Sequence, residues 1–335
     1  MKVLLICNYK PGVGGISGQV ELLQRYLRSE GHTAEIFSTK ASVLRRLLLS
    51  FRLIRVAREY DVLHIHCCSG WGFLPAVGGV SVGRWMKKRI VLTYHGGGGE
   101  HFFDKNSCLV RHYLMRTDAN IVLSGFLAKI FDKHHLPYTI IPNIIELDDK
   151  QYRSRETLKP NFICTRAHEE LYNIPCILRA FQKVLTELPE ASLTLVGDGS
   201  QHEALAEMAK EMGLANVSFT GRVDNTEIYT YLDQADIFLS SPTVDNMPVS
   251  VLEAMNAGLL VISSRVGGVP YMIKNGANGL LFDSNDSDKL AELMLWSVEN
   301  QTIAKAIIQQ GHKEVKRYQW EGVKEQIYSV YGFSS

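Results

Sequence analysis

No apolar run in this chain approaches the ~18 residues that a membrane span needs. The N-terminal Val3-Leu4-Leu5-Ile6 is too short for a signal-peptide core and reads as a first buried strand. The six cysteines, at 7, 67, 68, 108, 164 and 176, form no CxxC pair and show no regular spacing. Their pattern argues against a disulfide framework and for buried, reduced thiols in a cytoplasmic protein. A net charge is also missing, since 36 Lys+Arg stand against 35 Asp+Glu. With 46% hydrophobic and 21% charged residues, disorder, collagen-like repeats and coiled coil are excluded. What is present is a chain of 335 residues, enough for two domains that each bury a core.

The balanced charge hides a division. Residues 1–145 hold 19 Lys+Arg and 9 Asp+Glu, a net of +10, and residues 146–335 hold 17 and 26, a net of −9. The halves are therefore suited to different partners. A basic half can approach phosphates, nucleic acid or an anionic membrane, and opposite charges also favour two domains facing each other. The counts leave both readings open.

Short apolar segments alternate with helical periodicity along the whole chain. Strands are expected at 2–8, 34–38, 62–66, 90–94 and 120–124, with helices at 19–30 and 42–58. Further strands are expected at 161–165, 192–196, 217–220, 237–240 and 259–263, separated by helices at 174–187, 201–213, 227–234 and 249–257. Strand-helix alternation means a parallel sheet covered on both faces, and it occurs twice. Ile141-Pro142-Asn143 is the expected hinge, because the composition turns acidic just after it. Doubly wound sheets bind ligands beyond the carboxyl ends of their strands, so a cleft between two such domains is the expected site. In the helix at 42–58, Leu44, Leu47, Leu48, Phe51 and Ile54 make a stripe fit to pack on the sheet. Leu49, Leu53 and Val56 make a second stripe, beside Arg45, Arg46 and Arg52, that is fit for a membrane interface or for burial on two sides.

Three constellations fall at strand ends. The first is Pro11-Gly12-Val13-Gly14-Gly15-Ile16-Ser17-Gly18, where backbone N–H groups can approach a phosphate at a helix start. It is neither a GxGxxG fingerprint nor a P-loop; proximity to a phosphate is the favoured reading, and a tight strand-helix turn is the alternative. The second pairs His64-Ile65-His66-Cys67-Cys68 with Tyr94-His95-Gly96-Gly97-Gly98-Gly99. Alternation sends His64 and His66 to one side of their strand and the two cysteines apart, and no zinc spacing follows, so no metal is expected. His95 before four glycines has room for a ligand beside an imidazole, or is a packing histidine. The third runs from Ser240 to Gly258. A strand ends near Ser241, a helix is expected to start at about Pro248, and Asp245 and Glu253 lie on either side of that boundary. Two acids so placed can accept hydrogen bonds from two hydroxyl-bearing parts of one ligand; Asp245 alone could equally cap the helix.

The third stretch resembles the Glu-x7-Glu signature of retaining glycosyltransferases of family four, with Asp245 in place of the first Glu. Matches in family order continue through the glycine loop, the Asp61–His66 strand, Tyr94-His95-Gly96, Ile141-Pro142-Asn143, Arg166, Val196-Gly197-Asp198-Gly199, Phe219-Thr220-Gly221-Arg222-Val223 and Gly276–Phe282. The resemblance thus spans nearly the whole chain. It implies an α/β GT-B fold, two Rossmann-like doubly wound parallel-sheet domains facing a cleft. Residues 1–143 would form the N-terminal acceptor-binding domain, with a C-terminal helix at about 320–335 crossing back to it. Residues 144–319 would form the nucleotide-sugar donor-binding domain.

The implied reaction moves a hexosyl group from a nucleotide-sugar to a saccharide or lipid-linked saccharide acceptor, with retention, in cell-surface polysaccharide synthesis. No cofactor or metal is implied, and no nucleic acid. The protein would be cytoplasmic, and its basic half leaves open a peripheral place on the inner face of an anionic membrane. By the same resemblance Glu253 holds the ribose hydroxyls. Asp245 holds the donor sugar, with backbone groups of Asn246, Met247 and Pro248. Arg166 grips the diphosphate together with Gly14 and Gly15, and His95 lies by the sugar and acceptor. The family's Lys five residues after the Arg is Leu171 here, which removes one cation, and Tyr271 stands where relatives often carry Glu. A sugar-nucleotide epimerase, a non-catalytic GT-B partner subunit and an NADP-dependent dehydrogenase are the competing classes. The last leaves the second half unexplained.

Overall fold

The computed structural model describes residues 1–11, 15–40, 46–146, 151–224 and 227–333, with side chains in the second helix from Phe51 onward. The chain divides into two units, Met1–Glu146 with Tyr318–Ser335, and Leu147–Arg317. The segment Ile141-Pro142-Asn143 lies inside the first unit.

The first unit runs β1 (Lys2–Cys7), α1 (Ile16–Ser29), β2 (Thr33–Ser38), α2 (Arg46–Ala57), β3 (Val62–Cys67), α3 (Leu74–Trp85), β4 (Arg89–Tyr94), α4 (Gly99–Lys105), α5 (Ser107–Leu114), β5 (Ala119–Val122), α6 (Gly125–Lys133) and β6 (Thr139–Ile140). The second runs β7 (Asn161–Cys164), α7 (Ile174–Glu187), β8 (Ser192–Val196), α8 (His202–Glu211), β9 (Val217–Gly221), α9 (Ile228–Gln234), β10 (Ile237–Ser240), α10 (Val249–Asn256), β11 (Leu260–Ser264), α11 (Val269–Met272), β12 (Leu280–Phe282), α12 (Ser287–Glu299) and α13 (Gln301–Val315). The chain then returns to the first unit as α14 (Trp320–Tyr331).

Each unit is a six-stranded sheet, ordered β2-β1-β3-β4-β5-β6 and β12-β11-β10-β7-β8-β9. Every strand pairing is parallel. The strand order reverses between β1 and β3 in one sheet and between β7 and β10 in the other. These reversals open the crevices that doubly wound folds use for ligands.

Strand alternation sorts the first core into two layers. Leu4, Ile6, Leu63, Ile65, Leu92 and Tyr94 join the cluster on one face, and Val3, Leu5, Cys7, Val62 and Val91 join that on the other. The second layer is closed by α14, whose Trp320, Val323, Ile327, Val330 and Tyr331 are buried at helical spacing. Trp320 stacks on Tyr26 at 5.2 Å, and its Nε1 donates to Glu30 at 3.0 Å. In the second unit the apolar face of α7 (Ile174, Ile177, Leu178, Phe181 and Val184) packs on the same core as Ile237, Leu239, Leu260 and Ile262.

Two readings of the sequence need correction. In α2 the two stripes share the packing: Leu53 of the second is 3% exposed, Ile54 of the first and Val56 of the second are partly buried against the same core, and Phe51 of the first is 73% exposed. Both stripes are apolar, so periodicity alone could not say how they share the core. Leu44 and Arg45, and the side chains of Arg46, Leu47, Leu48 and Leu49, lie outside the description. The helix expected at 249–257 runs Val249–Asn256, with Pro248 as its extended N-cap residue. The cysteines are all free, but Cys108 is exposed rather than buried.

Candidate active site

In the second unit the segments after β7 and β10 flank the point where strand order reverses. Arg166 lies two residues beyond β7, and Asp245 five beyond β10. The two are joined directly, Arg166 Nη2 donating to Asp245 Oδ2, with both side chains largely buried. Arg166 Nη1 donates to Ser250 Oγ at 2.9 Å, in the first turn of α10. The guanidinium also lies 4.0 Å from the centroid of the Tyr172 ring, a cation–π contact that fixes its plane. Its Nε–H is buried with no acceptor among the described residues.

Backbone contacts hold both partners in place. Gly197, at φ 145°, packs so close that a Cβ there would stand 2.2 Å from the Arg166 carbonyl oxygen. Gly267, at φ 50°, leaves 1.9 Å between its would-be Cβ and the Asp245 carbonyl oxygen, and the Gly268 N–H donates to that same oxygen at 2.9 Å. Neither close approach admits a side chain. The segment after β7 is tied to that after β10 by Thr243 N–H to the Leu171 carbonyl (2.8 Å) and by Ser241 Oγ to the carbonyls of Tyr172 (3.0 Å) and Asn173 (2.9 Å).

Asn246, Met247 and Pro248 are buried between Asp245 and α10. Asp245 does not cap the helix, which has no side-chain cap; its Oδ2 accepts from Arg166 instead. Glu253 sits one turn into α10, half-buried, and its carboxyl is pushed up to about 7 by burial, with the nearby Arg166 charge pulling the other way. An arginine, its aspartate partner and a glutamate whose carboxyl titrates at about 7 thus lie close together. They offer one cationic donor and two acceptors to a ligand with phosphate and hydroxyl groups.

The first unit carries the remaining candidates. Gly15, at φ 68°, is the N-cap residue of α1. Gly12, Val13 and Gly14 lie outside the described residues. Register pairs His66 with Thr93, so His64, His66, Thr93 and His95 all emerge on the face covered by α14. His64 Nδ1 bonds Tyr331 OH at 2.7 Å and its Nε2 bonds Thr93 Oγ1 at 2.8 Å; His66 Nδ1 bonds His95 Nε2 at 3.0 Å. Burial holds all three imidazoles neutral at pH 7, His64 at about 3, His95 at about 4 and His66 well below its usual range. Among the described residues no group of three or more His, Cys, Asp or Glu could hold a metal ion.

Sequence reasoning missed Tyr172, Ser250 and His66 as supports of the residues it singled out. Tyr172 follows Leu171, and Leu171 itself is 40% exposed. Only proximity in space reveals the aromatic contact, since nothing in the spacing of Arg166 and Tyr172 announces it.

Two doubly wound parallel sheets in one chain are the architecture of the GT-B glycosyltransferases. The chain belongs to the family described as glycosyl transferases group 1, whose profile matches residues 146–314, and the profile of glycosyltransferase family 4 matches residues 37–149. It is a glycosyltransferase. Its sequence is 24% identical over 308 residues to N-acetyl-alpha-D-glucosaminyl L-malate synthase of Bacillus anthracis, covering 85% of this chain and 78% of the relative. It is 25% identical over 372 residues to phosphatidyl-myo-inositol mannosyltransferase of Mycolicibacterium smegmatis, covering 99% and 93%. Among solved structures, Anabaena Alr3699/HepE in complex with UDP-glucose superposes at a TM-score of 0.79 with 18% identity over 99% of both chains, a likeness of fold.

Proposed function

We propose that this glycosyltransferase takes its sugar from a nucleotide-sugar and transfers it, with retention, to a saccharide or lipid-linked saccharide acceptor in cell-surface polysaccharide or glycolipid synthesis. The observation that carries the donor assignment is Arg166. It is anchored by Asp245, Ser250 and Tyr172 and keeps a buried Nε–H without an acceptor among the described residues. An unpaired buried donor on a fixed cation suits an oxygen of a diphosphate. The fold neighbour named above holds UDP-glucose, a ligand that combines such a diphosphate with ribose and sugar hydroxyls.

As the glycosidic bond breaks, negative charge grows on the leaving diphosphate. A cation already aimed at that position lowers the barrier without reorganising. Glu253 accepts from the ribose hydroxyls in its ionised form. The loop Asp245–Pro248 meets the sugar, with Asp245 both orienting Arg166 and facing the ring as it gains positive charge. In the first unit, Gly14 and Gly15 supply backbone N–H groups for phosphate, and His95 meets the acceptor. Arg166 takes the part that a metal plays elsewhere, so chelation with EDTA should leave transfer unchanged.

Calorimetry with nucleoside diphosphates tests the reading. Arg166→Ala should weaken binding at least about tenfold, the loss of one charge-assisted bond in a desolvated place. Unchanged affinity in a folded variant would make Arg166 a structural residue. Release of free or epimerised sugar without an acceptor would point to an epimerase. Leu171, in place of a second cation, favours one further reading: donor binding without turnover would mark a non-catalytic partner subunit.

A further inference from the structure

The contact between His66 and His95 has a definite hydrogen economy. The three neutral rings of His64, His66 and His95 carry one N–H each. His64 spends both nitrogens, on Tyr331 and Thr93. Its ring therefore offers nothing to His66, although the two centroids are only 4.2 Å apart. The 3.0 Å contact between His66 Nδ1 and His95 Nε2 holds one proton. The other nitrogen of His66, Nε2, is buried with no partner among the described residues. His66 lines a cavity of about 30 Å3 together with Gln19 and Asn143. The Gln19 amide is already committed, its nitrogen donating to the Ile144 carbonyl and its oxygen accepting from the Ile144 N–H, both at 2.9 Å.

Two proton arrangements satisfy the contact. If His95 Nε2–H donates, the proton of His66 must sit on Nε2 and becomes a buried N–H with no acceptor among the described residues. If His66 Nδ1–H donates, Nε2 is a bare lone pair and the proton of His95 sits on Nδ1. Buried N–H groups without acceptors are the rarer defect. We infer that His66 is a positioning residue that locks His95 in its Nδ1–H form, so that His95 offers a hydrogen-bond donor, and not a base, to an oxygen of the bound sugar or acceptor. The tautomer follows from geometry within the first unit. Its use toward a substrate rests on the transferase reading above.

The full-length protein labelled with 15N-histidine reports the tautomer directly, through long-range ring 15N–1H correlations, with the His95 signals identified by their loss in His95→Gln. His95 should show a protonated Nδ1 and a bare Nε2. His66→Asn places an amide N–H where Nδ1 stands and should preserve that pattern. His66→Phe should abolish it and lower kcat at least about tenfold with KM for the donor unchanged, as loss of an outer partner of a working imidazole does. A protonated Nε2 on His95 in the unmodified protein overturns the inference, as does an unaltered pattern in His66→Phe. If the unmodified protein transfers no sugar from any nucleotide-sugar, the transferase reading fails while the tautomer result stands by itself.

Discussion

At Glu253 two requirements pull in opposite directions. Its carboxyl titrates at about 7 in the folded chain against an ordinary 4.5. The folded chain therefore holds a proton that the unfolded chain has released, and stability falls as pH rises from about 4.5 to 7 and stays lower above that. Glu253→Gln removes the penalty. The variant should resist urea better than the parent at pH 8, by about 1–3 kcal/mol after allowance for its part exposure, with no gain at pH 4.5. The same change removes the acceptor that the ribose needs. Nucleoside diphosphate affinity of the parent should therefore rise through pH 7, and that inflection should vanish in Glu253→Gln. Identical affinity profiles would detach Glu253 from the ligand. Asp245 differs because it neutralises Arg166. Asp245→Asn frees the full arginine charge for the diphosphate, so nucleotide affinity should hold or tighten while transfer falls at least about tenfold. Weaker nucleotide binding with undiminished transfer would reverse the two roles.

At the scale of elements, the loops beyond β7, β10 and β11 behave as one construction. Asp245 owes its place to Gly267 and Gly268. Gly267→Ala adds a Cβ at a positive φ against the Asp245 carbonyl, which should cost about 1–3 kcal/mol. In thermal unfolding the variant should melt lower, and in transfer it should lose more than Gly276→Ala. That residue also has a positive φ, 75°, but nothing stands within 4 Å of its would-be Cβ. Equal transfer in the two would mean that the clamp does not set Asp245. Alternation of apolar strands with a periodic helix such as α7 was legible in the sequence, and so were parallel sheets. Other elements were not. Leu74-Pro75-Ala76-Val77-Gly78-Gly79-Val80 opens α3, where glycines stand at core-facing positions in place of the large apolar residues that periodicity needs. Gly79 and Gly83 are required there because a Cβ would press on Ile65 and Ile90 at under 3 Å. The three residues of β12 and two of β6 are too short for any alternation to register. Of the candidate site, Arg166, Asp245 and Glu253 were legible as a set of residues. That Arg166 and Asp245 pair with each other is a fact of tertiary packing, since 79 residues separate them.

For the whole molecule, the surplus of positive charge belongs to residues 1–145. The first unit also exposes Phe51 (73%) and Trp85 (67%), with Arg52, Arg55, Arg58, Arg84 and Lys87 exposed on the same two helices and their flanks. No helix among the described residues is long and apolar enough to cross a membrane. We expect the protein to sediment with anionic phosphatidylglycerol vesicles at low salt, to be released as salt rises, and to bind less well as Phe51→Asp. No sedimentation at low salt would end that expectation. The return of α14 to the first unit bears on how the chain is born. A ribosome that has finished the first 146 residues must still make the 171 of the second unit before Trp320 is even polymerised. At the usual pace of translation that is roughly 10–30 s. Through that interval Val20, Leu23 and Val91 lack the helix that covers them. The nascent first unit is thus a ready client for a chaperone, and its folding is completed only once α14 has been made.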